Sequence, residues 1–106
     1  MNVDLVMWTH NAGQQLDYVL HRINQVIPKE NVHKKFIVDD HSNDLTKEIA
    51  FSNNWNVFLN HGSGISDGAN TALSYVNTSF FCSFEQDVLL TSDWWVKVAV
   101  PFSILG

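Results

Sequence analysis

The sequence predicts an α/β fold, a mostly parallel four-stranded sheet in the order 3-2-1-4 with its first strand central and helices on both faces. Three observations carry this expectation. Short apolar runs rich in β-branched residues alternate with amphipathic segments, the pattern of the strand–helix crossovers that build parallel sheets. Each apolar run stops at a group of polar residues, as strands do at the rim of such a sheet. The 106 residues, 45% of them hydrophobic, supply one core, so residues 1–106 are read as a single domain.

Val3 to Thr9 (VDLVMWT) has no helical period and reads as a strand covered on both faces. After Asn11-Ala12-Gly13, apolar residues at Leu16, Val19, Leu20, Ile23, Val26 and Ile27 form a helical stripe. Pro28 ends it. Phe36-Ile37-Val38 is a second buried strand running into Asp39-Asp40, and Ser42, Asn43 and Asp44 offer N-caps for a helix carrying Leu45, Ile49 and Ala50. Asn56 to Leu59 is a third strand, followed by a turn at Gly62 and Gly64 and a helix with Ala69, Ala72, Leu73 and Val76 on one face. A fourth strand, Ser79 to Phe84, opens into Glu85-Gln86-Asp87. The tail from Trp94 to Gly106 is apolar, with an exposed-looking Trp94-Trp95 pair and no closing polar segment. It is expected to mark a truncation before a second half and to offer a surface for association.

A net charge of −5 and no cluster of Lys or Arg exclude a surface that tracks nucleic-acid phosphates. One cysteine, Cys82, allows no internal disulfide and reads as a small buried hydrophobe. The amino terminus lacks the basic residues of a secretory signal, so the expected location is cytoplasmic, with membrane attachment of an intact protein left open. The five histidines show no paired zinc spacing.

In an open parallel sheet, ligands bind outside the carboxyl ends of the strands. Thr9-His10-Asn11, Asp39-Asp40, Asn60-His61-Gly62 and Glu85-Gln86-Asp87 stand at those four ends. WTHN after the first strand resembles the PTYN-type opening of family 2 glycosyltransferases, which adopt the Rossmann-like GT-A fold. VDDHSND with Thr46 resembles their VDDxSxDxT segment, GSGISDGANTAL their Gly-rich turn and ARNxGL-type helix, and FEQDVLL the segment that holds their DxD motif. The four matches occur in family order across about residues 3 to 95.

The resemblance implies transfer of a sugar from a nucleoside-diphosphate sugar, a UDP-sugar foremost, to an acceptor hydroxyl, with Mg²⁺ or Mn²⁺. It implies nucleotide-binding roles for Thr9, His10, Asn11, Asp39, Asp40, Gly64, Asn70 and Glu85. An ionised carboxylate only accepts hydrogen bonds, so Asp40 would select a base edge that presents N–H, which uracil, thymine and guanine all do. Asp87, with Glu85 beside it, is implied as the metal ligand, phosphate oxygens and water completing the shell. Glu85 replaces the usual first Asp, and Gly68-Ala69 stand where the family often carries Arg. The general base is expected in the missing half, leaving this piece to bind the donor.

Two other readings compete. Gly62, Gly64 and Gly68 mimic a dinucleotide (NAD or FAD) fingerprint, but the spacing is G-x-G-x-x-x-G and the turn belongs to the third strand–helix unit rather than the first. The tail and tryptophan pair would also suit a non-catalytic interaction module.

Overall fold

The computed structural model describes residues 2–105, with side chains from Asn2 to Ala99. Four strands, β1 (Val3–Thr9), β2 (Val32–Asp39), β3 (Asn56–Leu59) and β4 (Phe81–Phe84), form one parallel sheet in the order β3-β2-β1-β4. The expected order is the observed one. β1 is central because it is apolar toward both faces: Leu5 and Met7 face one side, Val6 the other.

Four helices cover the sheet: α1 (Gln15–Val26), α2 (Thr46–Ser52), α3 (Gly64–Tyr75) and α4 (Trp94–Leu105), with a 3-10 turn at Lys29–Asn31. α1 lays Leu16, Leu20 and Ile23 on Leu5, Met7 and Ile37, and Ile27 just beyond its end joins them. Each such fully buried side chain contributes about 1.5–3 kcal/mol relative to exposure. Ala50 of α2, Trp55 and Trp95 complete this layer. On the opposite face, α3 sets Ala72 against Val6, Phe36 and Val38, and Tyr75 stacks on Phe58 with ring centroids 3.9 Å apart.

Several expectations are corrected. α3 turns Gly68, Thr71 and Ala72 inward while Ala69 and Leu73 are exposed, a rotation that lets Thr71 bond to Asn60. α2 begins at Thr46, so Leu45 lies outside the helix and is exposed. Asp44 still supports that start by accepting hydrogen bonds from the N–H and hydroxyl of Thr46. Trp95 is buried rather than part of an exposed pair, and Cys82 is only half-buried. Association through the tail concerns side chains that lie largely outside the described residues. No helix among the described residues is long and apolar enough to cross a membrane.

Asp4, near the start of β1, is a buried carboxylate that composition does not foresee. It accepts the Asn77 N–H at 2.7 Å and a ring N–H of His33 at 2.7 Å. Burial alone would raise its pKa, but those bonds and the nearby His33 and Lys34 outweigh it, and the net shift is downward.

Candidate functional site

The register brings the strand ends level: Thr9 lies opposite Asp39, Asp39 opposite Leu59, and Met7 opposite Phe84. The four polar clusters therefore meet along one rim. Two loops leaving that rim are bonded to each other. Asn11 N–H donates to Ser42 Oγ at 2.9 Å, Ala12 N–H to Thr46 Oγ1 at 3.1 Å, Gly13 N–H to Asp44 Oδ2 at 3.1 Å, and Asn43 N–H to Asn11 Oδ1 at 2.9 Å. Asn11 and Gly13 hold positive φ to aim these groups, Gly13 at φ 77°, which its missing Cβ permits. Donation from the Thr46 hydroxyl, foremost, outweighs the opposing effect of burial and, with the Thr46 and Gly13 N–H groups, lowers the Asp44 pKa.

Asp39 and Asp40 do different work. Asp39 is fully buried; Oδ1 accepts the Thr9 hydroxyl at 3.0 Å and the Ser42 hydroxyl at 2.6 Å, and Oδ2 the Ser42 N–H at 3.0 Å. Asp40 turns to the other side, where Oδ1 accepts Asn60 Nδ2 and Oδ2 the Gly64 N–H, both at 3.1 Å. Thr9 thus pairs through its side chain with Asp39, and meets Asp40 through the Asp40 N–H to Thr9 C=O bond of 2.8 Å. Gly64, at φ 80°, opens α3.

His10 links the two halves of the rim. Its Nδ1–H donates to the Asp40 carbonyl at 2.6 Å, and its N–H donates to Gln86 Oε1 at 2.9 Å. The carbonyl partner fixes the tautomer, since only a protonated Nδ1 can donate there. Two residues without an assigned role in the sequence prove central. Gln86 clips the end of β4 to that of β1. Asn60, 2% exposed, bonds to Asp40, to the Gly64 carbonyl, to the Gly62 N–H and to the Thr71 hydroxyl. Position at a strand end marked Asn60; nothing in the sequence announced this many partners.

Beside this network lies a cleft of about 470 Å³ between α3 and the ends of β1 and β4. Ile65, Gly68, Ala69 and Ala72 form one wall, and Trp8, Glu85, Gln86 and Asp87 the other side. Glu85 and Asp87 are exposed to it. Trp8 packs so closely on α3 that a Cβ on Gly68 would lie 2.2 Å from its ring carbon Cδ1. Its Nε1–H is buried without a partner, alone among the described buried side-chain polar atoms. Asn70 is not brought to this cleft; it lines a separate shallow recess with His61, Gly62, Asp67 and Thr71. Among the described residues, no group of three or more His, Cys, Asp or Glu is arranged to hold a metal ion. Glu85 and Asp87 still fit a hard cation in the chemistry of their donors, as two of the six or so oxygens it needs.

The sequence pattern of the family described as Glycosyl transferase family 2 matches residues 4–103, nearly the whole chain. The chain belongs to that family. Among solved structures, this family 2 chain is similar to S. aureus TarS 1-349, at 21% identity and a TM-score of 0.83, covering 98% of this chain and 33% of that one. It is also similar to Mycobacterium tuberculosis glucosyl-3-phosphoglycerate synthase in complex with Mn²⁺, UDP and glucosyl-3-phosphoglycerate. There the identity is 15%, the TM-score 0.80, and the coverage 99% of this chain and 40% of that one. TarS 1-349 in complex with UDP-GlcNAc matches at 21% identity and a TM-score of 0.75, over 98% of this chain and 32% of that one. The chain therefore spans about a third to two-fifths of the length of these proteins. No curated protein matches it. At these identities the likeness establishes the fold, which is the GT-A fold the motifs imply.

Proposed function

We propose that this chain is the donor-binding part of a glycosyltransferase that moves a sugar from a nucleoside-diphosphate sugar, UDP-linked, to an acceptor hydroxyl with Mg²⁺ or Mn²⁺. The observation that carries the reading is the cleft itself, which sets the exposed Glu85 and Asp87 beside α3 and next to the Asp40–Gly64 network. Membership of family 2 supports the reaction class. The similar structures crystallised with UDP, Mn²⁺ or UDP-GlcNAc support the ligand and the ion.

Each residue has a part in this reading. Asp40 receives a base N–H: each carboxylate oxygen has two lone pairs and spends one on Asn60 or Gly64, so acceptor capacity remains. Thr9 and Asp39 hold the floor, while His10 and Asn11 fix the two loops that flank the base. Asp87 would hold the cation with the diphosphate oxygens, and Glu85 the ribose or the outer shell. Bound there, the cation supplies charge neutralisation for the departing nucleoside diphosphate. Asn70 is left at the margin of the site. We assign no general base on this chain. The dinucleotide alternative is weaker because the glycines have packing reasons: Gly68 makes room for Trp8, and a Cβ on Gly62 would meet Asp67 at 2.2 Å.

The decisive test is calorimetric titration with UDP and with uridine. A diphosphate entering a rim that holds Asp39, Asp40, Glu85 and Asp87 is repelled unless a cation intervenes. EDTA, or Asp87→Asn, should weaken UDP by at least about tenfold, ~1.4 kcal/mol, and leave uridine nearly unchanged. Equal UDP affinity in EDTA would remove Glu85-Gln86-Asp87 from the metal role.

A further inference from the structure

At the end of the sheet opposite the rim, a recess of about 510 Å³ lies between the end of α1, the 3-10 turn and the starts of β2 and β3. Its floor is Leu5, Ile23 and Ile27, each at most 2% exposed. Lys29, Lys34 and Lys35, three of the chain's six Lys and Arg residues, line it, and no Asp or Glu does. The three lie within residues 29–35, and the fold turns that stretch of an otherwise acidic chain onto one recess.

Not all of that charge is available. Lys34 Nζ is engaged with Asn77, and the His33 imidazole is bonded to the buried Asp4. Lys29 and Lys35 pair with no carboxylate among the described residues. Lys35 is held in place by Asn24, whose Oδ1 accepts both Lys35 Nζ and Trp55 Nε1 at 3.0 Å while its Nδ2 donates to the Asn53 carbonyl at 2.9 Å. That amide has both ends fixed, so the ammonium it holds is fixed as well. Burial foremost, and after it the neighbouring positive charge of Lys29, lower the Lys35 pKa.

We infer that this recess is an anion site, in which Lys29 and Lys35 together receive a phosphate group and the side-chain amides of Asn54 and Asn56 complete its hydrogen bonds. A dianion between two ammonium groups replaces their repulsion with two charge-assisted hydrogen bonds. The apolar floor strengthens that attraction by lowering the local dielectric. The site is separate from the donor cleft and does not depend on the reading of that cleft.

Inorganic pyrophosphate is the probe, titrated into the full chain in EDTA so that the acidic rim repels it, with side-chain amide resonances followed by NMR. Saturable binding that shifts Asn24, Asn54 and Asn56 is expected. It should weaken at least about tenfold in Lys29→Gln and in Lys35→Gln, and stay unchanged in Lys47→Gln, which lies outside the recess. Lys29 is exposed, so Lys29→Gln keeps the test valid should Lys35→Gln fail to fold. Co-sedimentation with phosphatidylcholine vesicles, with and without phosphatidic acid, separates the sources. Capture by the acidic vesicles that pyrophosphate reverses identifies a lipid headgroup; saturable pyrophosphate binding without capture identifies a free phosphate compound. No saturable binding of pyrophosphate, or binding indifferent to both lysine variants, would overturn the inference.

Discussion

Gly68 shows how one missing carbon shapes the cleft between α3 and the ends of β1 and β4. In an exposed helix interior, Gly→Ala gains about 1 kcal/mol. Here the new Cβ would press into the Trp8 indole, 2.2 Å from Cδ1 and 2.7 Å from Nε1. Overpacking of this kind costs about 1–3 kcal/mol. Gly68→Ala should therefore lower the urea midpoint or drive Trp8 into the cleft, visible as weakened UDP binding. A variant more stable than the parent with unchanged UDP affinity would show the packing to be loose. Asp4 offers a second residue-scale test. Its folded-state pKa is depressed, so the stability it contributes is present above the unfolded value of about 3.9 and is lost as pH falls through the folded value. In Asp4→Asn, unfolding free energy should be lower at neutral pH by about 1–3 kcal/mol. It should also fall less steeply in acid, as urea titrations at a series of pH values would show.

The elements differ in how plainly the sequence announces them. α1 is legible because its stripe consists of large aliphatic residues, and all but Val26 of that stripe are buried. α3 is legible as a helix but not in its orientation, since its inward residues, Gly68, Thr71 and Ala72, are small or polar and carry little apolar contrast. What turns α3 is a hydrogen-bond demand: Thr71 donates to Asn60 and accepts the His61 N–H at 3.0 Å. The rim clusters were readable because each follows an apolar run. The partners within them were not, because neighbouring residues at a strand end point to opposite sides. That alternation gives Thr9 to Asp39 and sends Asp40 to Asn60. Asn60→Ala should thus cost about 1–3 kcal/mol by leaving Thr71 and part of Asp40 unsatisfied. Hydrogen exchange at Gly64 and His61 should quicken more than in β1; uniform protection would mean that α3 is held by packing alone.

At the scale of the whole molecule, the sheet separates charge. Carboxylates of Asp40, Glu85 and Asp87 gather at the carboxyl ends of the strands, while Lys29 and Lys35 occupy the other end, where the buried carboxylate of Asp4 is matched by His33. An anionic ligand thus meets an unfavourable field at the rim and a favourable one at the far end, which is why the UDP and pyrophosphate experiments differ in their need for a cation.

The bonds that knit the rim are as non-local as the strand pairings beneath them. Asn11 to Ser42 spans 31 positions of sequence, Ala12 to Thr46 spans 34, and His10 to Gln86 spans 76. None can form until distant stretches of chain are already in register, and such non-local closures come at the greatest entropic cost. Thr9 and Asp39, paired in register, are themselves 30 positions apart, so the rim and the sheet close together. A partly folded chain therefore lacks the rim network, and a nucleotide bound there as proposed would report that β1, β2 and β4 have all found their places.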